Sequence, residues 1–186
     1  MAYNCLEALA SLVFGILAGS IALTGFGLDS VIEVVSGTAL LWRLRADGHP
    51  HGDRAEQLAL RIVGLCFCAL AAYVTWESLE TLLLGEAPQQ TWFGVAIAIA
   101  SILIMPSLAR AKRQVAGQIG SAALAADSKQ TSLCAYLSII LLVGLGLNAM
   151  LGWWWADPVA GLVMVPIIAK EGYDALRGKT CCDACH

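Results

Sequence analysis

Long apolar runs, separated by short polar breaks, dominate the chain. Six can be read: roughly Ala2 to Ser20, Ala22 to Leu44, Leu58 to Leu84, Trp92 to Leu108, Gly120 to Leu147 and Trp153 to Tyr173. Each is near the ~20 residues that a helix needs to cross a hydrocarbon core ~30 Å thick. The pattern predicts an all-α fold, an integral membrane bundle of six transmembrane helices. One transmembrane domain is expected over residues 1–178, followed by a short Cys-rich tail over 179–186. The first run is short and lacks a basic flank, as a chain cut short at its start would.

The polar breaks predict an orientation. Arg43, Arg45, Arg54 and Arg61 flank the second connection, Arg110, Lys112 and Arg113 follow the fourth run, and Arg177 and Lys179 follow the sixth. The alternate connections hold acids instead: Glu86 between Gly85 and Thr91, and Asp157 beside Trp153, Trp154 and Trp155. Basic residues stay on the cytoplasmic side, so both termini are expected there, and the tryptophans suit an outer interfacial belt.

Composition agrees. Of 186 residues, 59% are hydrophobic and 13% charged, against about 25% charged in a soluble domain. The net charge of −3 gives no basic patch for nucleic acid. The start has no basic region and no small-residue cleavage site, so no cleavable signal peptide is expected. No enzyme is expected either, because no nucleophile-and-base pair, phosphate loop or H-E-x-x-H is present.

Acidic residues inside such runs need a reason, since each costs about 2.5–3.5 kcal/mol at mid-membrane. Asp29 and Glu33 lie one turn apart in the second run, with side chains ~40° apart around the axis and ~6 Å along it. Two carboxylates on one face share a proton or bind a cation. In the fifth run Asp127, Gln130, Thr131, Cys134 and Ser138 fall within an arc of ~100°. Counting ~1.5 Å per residue from the same end of two antiparallel helices puts Asp29 level with Cys134, and Glu33 level with Gln130. Asp127 falls below them. Carboxylates with a thiolate suit zinc, whereas oxygen-only sites suit magnesium or manganese. The competing reading is a polar cluster that only locks helices together. A buried Lys129 would favour it, but Lys129 projects away from the shared face.

At these residues the chain resembles the cation diffusion facilitator family. Ala18-Gly19-Ser20-Ile21-Ala22-Leu23 through Asp29-Ser30-Val31-Ile32-Glu33 looks like that family's second-helix signature with its D-x-x-x-D metal pair, Glu33 standing for the second Asp. Ala125-Ala126-Asp127 through Cys134 resembles its A-D-x-x-H-x-x-x-D fifth-helix signature, with Gln130 in the His position and Cys134 in the Asp position. Ala156-Asp157-Pro158, with Glu171-Gly172-Tyr173, resembles its sixth helix, and His51-Gly52 with Glu56 resembles the segment after the second. The closest match is to a compact branch lacking the cytoplasmic C-terminal domain. The resemblance implies a homodimer that exports metal from the cytoplasm in exchange for protons. It also implies an accessory metal site in the second-to-third loop, where Asp47, His49 and His51 cluster; a solvated turn around Pro50 is the alternative.

Seven cysteines stand at 5, 66, 68, 134, 181, 182 and 185. A tail in the reducing cytoplasm predicts no disulfide framework. Cys5, Cys66 and Cys68 are expected to be small helix-packing residues. Cys181, Cys182, Cys185 and His186 could complete a tetrahedral soft-metal site, or belong to an unmetallated or palmitoylated end.

The expected function is a secondary transporter of divalent metal, zinc first, with manganese, cobalt or iron open. It would sit in a bacterial-type plasma membrane, using Asp29, Glu33, Cys134, Gln130 and Asp127 as the transport site and no resident cofactor. Two other classes stand beside it: a non-transporting membrane scaffold, and a metal-delivery or redox protein centred on the cysteine tail.

Overall fold

A computed structural model of the chain describes residues 2–45, 52–85, 88–89, 91–119 and 122–177. Within them it is built of helices alone: α1 (Ala2–Ala18), α2 (Ile21–Arg45), α3 (Gly52–Leu84), α4 (Trp92–Ile119), α5 (Ala122–Leu151) and α6 (Ala156–Leu176). In hydrocarbon a helix satisfies its own backbone, which explains why every apolar run takes this form. Stretches of four helices, Ile21–Thr38, Arg61–Leu84, Trp92–Gln118 and Asp127–Leu151, are long and apolar enough to cross a membrane. α1 is apolar but shorter, and α6 carries Asp157, Lys170, Glu171 and Asp174.

Two helices outrun furthest the apolar runs that mark them. α3 begins at Gly52, ahead of Leu58, and α4 continues past Leu108 to Ile119. Apolar length measures the hydrocarbon crossed, whereas Ala, Arg, Lys and Gln beyond it are good helix formers in any solvent. α4 therefore carries Arg110, Lys112 and Arg113 as helical residues rather than as a loop.

α2 is the central helix, touching α1, α3, α5 and α6, while α4 lies along α5 and α3 along α6. α1 also touches α4, which closes α1, α2, α4 and α5 into a bundle flanked by the α3–α6 pair. Gly64 and Gly172 make that pair possible. A methyl on Gly64 would meet the Gly172 carbonyl at 2.9 Å and Leu176 at 2.8 Å, the close approach that small residues permit between membrane helices. The α1–α2 turn is a Schellman closure: Gly19 takes φ +63°, and the Ser20 N–H reaches the Gly15 carbonyl at 2.9 Å.

The distribution of polarity is inverted relative to a water-soluble bundle. Leu6, Leu9, Ile16, Leu17, Leu65, Trp76, Leu83, Trp92 and Leu103 are exposed, while Asn4, Glu7, Asp29, Ser30, Glu33, Ser101, Thr131, Ser138 and Asp157 are buried. Lipid is the solvent such an exterior fits. The apolar part of the interior is centred on Leu23, Phe26, Val74, Leu141 and Met164.

Candidate metal site

The site begins with what holds α2 in place. The first N–H groups of a helix have no partner within it. Here Asp157, in the first turn of α6, accepts the Ser20 hydroxyl at 2.6 Å and the Ile21 N–H at 2.9 Å, and Ser20 in turn accepts the Leu23 N–H at 3.1 Å. A carboxylate at a helix N-terminus also complements the macrodipole. Asp157 thus caps α2 and is 1% exposed, not a surface acid of an outer turn.

Two to three turns on, α2 turns Asp29 and Glu33 into the bundle, at 4% and 1% exposure. From α5, buried Cys134 sets its sulfur 3.1 Å from Asp29 Oδ2 and 3.0 Å from Glu33 Oε2. The Thr131 hydroxyl lies against Glu33 Oε1 and 3.1 Å from the Asp127 carbonyl. Two carboxylates and a thiol on facing helices therefore share one buried point, Cys134 at the level of both acids rather than of Asp29 alone. Gln130 lies one turn along α5. Its Oε1 accepts the Ser36 hydroxyl at 3.1 Å, and its buried Nε2 has no hydrogen-bond partner among the described residues.

A small cleft reaches this point between α2, α3, α5 and α6. Asp29, Gln130 and Glu171 supply its polar lining, and Phe67, Leu133, Leu137, Ile167 and Ile168 its walls. Among the described residues no three His, Cys, Asp or Glu side chains stand as a ready metal cage. The acceptor atoms of Glu33 are engaged instead by the Cys134 thiol, the Thr131 hydroxyl and a lysine.

That lysine is Lys112. Its Nζ lies 2.9 Å from Asp127 Oδ2 and 3.2 Å from Glu33 Oε1, and donates to the Thr131 hydroxyl at 2.6 Å. Basic residues after the fourth run read as markers of the cytoplasmic side. This one enters the site because it falls on the inward face of α4, in line with buried Ala98, Ser101, Met105, Ala109 and Ala116. The 3–4 spacing of that face is visible in the sequence and is the signal that finds Lys112. Arg110 and Arg113 point outward, and Lys129 is exposed as its projection predicts. Asp127, expected among the metal ligands, is linked to Glu33 through the Lys112 ammonium and, by its backbone carbonyl, through the Thr131 hydroxyl.

Glu7 carries no motif, yet it is 3% exposed on α1. It accepts the Ser30 hydroxyl of α2 at 3.2 Å and, through its other oxygen, the Ser101 hydroxyl of α4. The i, i+3, i+7 series Asn4, Glu7, Ser11 in an otherwise apolar run marks this face, and all three are buried. Cys5, Cys66 and Cys68 are exposed. The Cys68 sulfur still packs in the α3–α6 contact, 3.0 Å from where a methyl on Gly172 would stand, whereas Cys5 and Cys66 face outward, an apolar sulfhydryl being as compatible with lipid as with a protein core. The loop cluster Asp47, His49 and His51 and the tail cluster Cys181, Cys182, Cys185 and His186 lie outside the described residues.

The architecture is that of a polytopic helical membrane protein whose polar groups converge on a buried carboxylate–thiol centre. The chain belongs to the cation efflux family: residues 1–179 match the cation efflux transmembrane domain. It is 28% identical over 178 residues to an uncharacterized transporter of Methanocaldococcus jannaschii, covering 92% of this chain and 62% of that protein. It is 26% identical over 183 residues to the manganese efflux system protein MneS of Bacillus subtilis, covering 95% and 62%. Over 185 residues it is 29% identical to metal tolerance protein C1 of Arabidopsis thaliana, covering 88% and 39%. The chain thus spans less than two thirds of the length of these relatives.

Proposed function

We propose that the chain carries divalent metal cations across a membrane, with Asp29, Glu33 and Cys134 as the principal ligands and Gln130 as an auxiliary one. The observation that carries this reading is the buried meeting of the Cys134 sulfur with both carboxylates, at 3.1 and 3.0 Å. A bare acidic pair is costly in lipid, and a divalent ion neutralises it. The thiol favours zinc over harder ions, although one relative is named for manganese. Ligands must shed protons to bind, so loading releases protons and protonation releases metal. This coupling supports metal/proton antiport. Export from the cytoplasm, a homodimer, cytoplasmic termini and a plasma-membrane location complete the proposal, the orientation resting on the one-sided Arg and Lys.

The test is zinc, manganese, cobalt and iron flux into proteoliposomes under an imposed pH gradient, with calorimetric affinities alongside. Asp29→Asn and Glu33→Gln should each abolish flux and binding. If both variants bind and carry metal like the parent, the centre is a structural polar cluster. A reporter fused after His186 should read cytoplasmic; the opposite result overturns the orientation.

A further inference from the structure

The centre already has a cation at its edge. We propose that Lys112 is a tethered competitor of the cargo: its ammonium and the metal ion contend for Glu33, so Lys112 sets how tightly the site loads and how fully it releases. The inference rests on the reading of Asp29, Glu33 and Cys134 as the metal site and adds a positioning residue from α4.

The geometry carries it. Glu33 Oε1 takes the Lys112 ammonium at 3.2 Å and also meets the Thr131 hydroxyl. A metal ion bound to that carboxylate would sit ~2.0–2.2 Å from its oxygen. An ammonium and a divalent ion a few ångströms apart repel strongly, even at the effective dielectric of a partly buried site. Loading therefore requires the ammonium to quit Glu33. It has somewhere to stay: Asp127 Oδ2 holds it at 2.9 Å, and Asp127 Oδ1 is buried with no hydrogen-bond partner among the described residues. It also has room to move. The Lys112 side chain is 17% exposed, and lysine is a compact charge on a flexible four-carbon stem that can carry its head toward water. Asp127 thereby serves the ammonium rather than the metal, which explains why it stands apart from Asp29 and Cys134.

Two measurements test this. In the first, calorimetry and flux are compared for the parent, Lys112→Met, Lys112→Arg and Asp29→Asn. Lys112→Met should bind zinc more tightly, on the order of tenfold or more, the scale of one unit charge removed from a few ångströms away. Its turnover should fall, because nothing displaces the ion at release. Lys112→Arg, which keeps the charge, should stay near the parent in affinity. In the second, the parent protein is treated with an amine-reactive acylating reagent, with and without saturating zinc, and modified lysines are quantified by mass spectrometry. Lys112 should react several-fold faster with zinc, while exposed Lys129 is unchanged. The second measurement stands even if Lys112→Met fails to fold. Unchanged or slower Lys112 acylation with zinc, or weaker zinc binding by a folded Lys112→Met, overturns the proposal. If Asp29→Asn loses binding in that case, the metal site itself stands. If Asp29→Asn binds like the parent, both readings fall together.

Discussion

Cys134 on α5 sets its sulfur 3.0 Å from Glu33 Oε2 on α2, across 101 positions of sequence. Nothing but helix geometry brings them together: two antiparallel helices, each with one polar stripe, matched in depth. A soft sulfur thereby meets two hard carboxylates.

Cys134→Ser keeps the size and the hydrogen bonds but replaces sulfur with a hard oxygen. Zinc affinity should fall by roughly 10–100-fold, the range seen when a metal site loses even an orienting partner, and manganese affinity should fall much less. Parallel calorimetric titrations with the two metals read the difference. Equal losses for both would remove the thiol from the ligand set.

Gln130→His should strengthen zinc binding. The native amide spends its oxygen on Ser36, at 3.1 Å, and its buried nitrogen has no hydrogen-bond partner among the described residues. An imidazole at this position brings a stronger zinc ligand to the cleft that Asp29 also lines. The check is zinc affinity at fixed pH, with no gain counting against Gln130 as a neighbour of the ion.

Ser20→Ala should cost about 0.5–2 kcal/mol of stability, the usual loss of a helix N-cap. Asp157→Ala should cost more, since it strands both the Ser20 hydroxyl and the Ile21 N–H beside a lost charge-assisted bond of about 1.5–3 kcal/mol. Thermal unfolding in detergent orders the two variants.

Gly172→Val should loosen the α3–α6 pair. A methyl at Gly172 already meets Phe67 at 3.0 Å and the Gly64 carbonyl at 3.1 Å, and overpacking of this kind typically costs about 1–3 kcal/mol. Unfolding temperature in detergent should drop. Gly146→Ala, with open space around its added methyl, should be near neutral in the same assay.

Much of this was legible in the sequence. Six helices follow from six apolar runs, and the Asp29, Glu33 and Cys134 stripe follows from 3.6 residues per turn and antiparallel depth. What was not legible has three physical causes. Apolar length does not report where a helix ends, so α4's extension to Ile119 hid the inward turn of Lys112. Flanking basic residues also look alike in sequence whether they face water or a carboxylate. Glu7 was missed because a single acid in a short apolar run carries no pairing signal. Two of its partners, Ser30 and Ser101, lie on other helices, and the third, Tyr3, stands one turn before it on α1.

The cleft between α2 and the α3–α6 pair has a mechanical consequence. At one end of α6, Asp157 is bonded to Ser20 and Ile21 of α2. Beside Asp29, the walls that α3 and α6 contribute are Phe67, Ile167 and Ile168, with Glu171 at the rim. Apolar contacts of this kind exchange for lipid tails with little net change, because tails are as apolar as leucine. The α3–α6 pair is therefore tied to α2 by directional bonds at Asp157 and meets it through apolar side chains beside Asp29. Contacts that lipid can replace make the Asp29 side of the pair cheaper to part from α2 than the bonded Asp157 end.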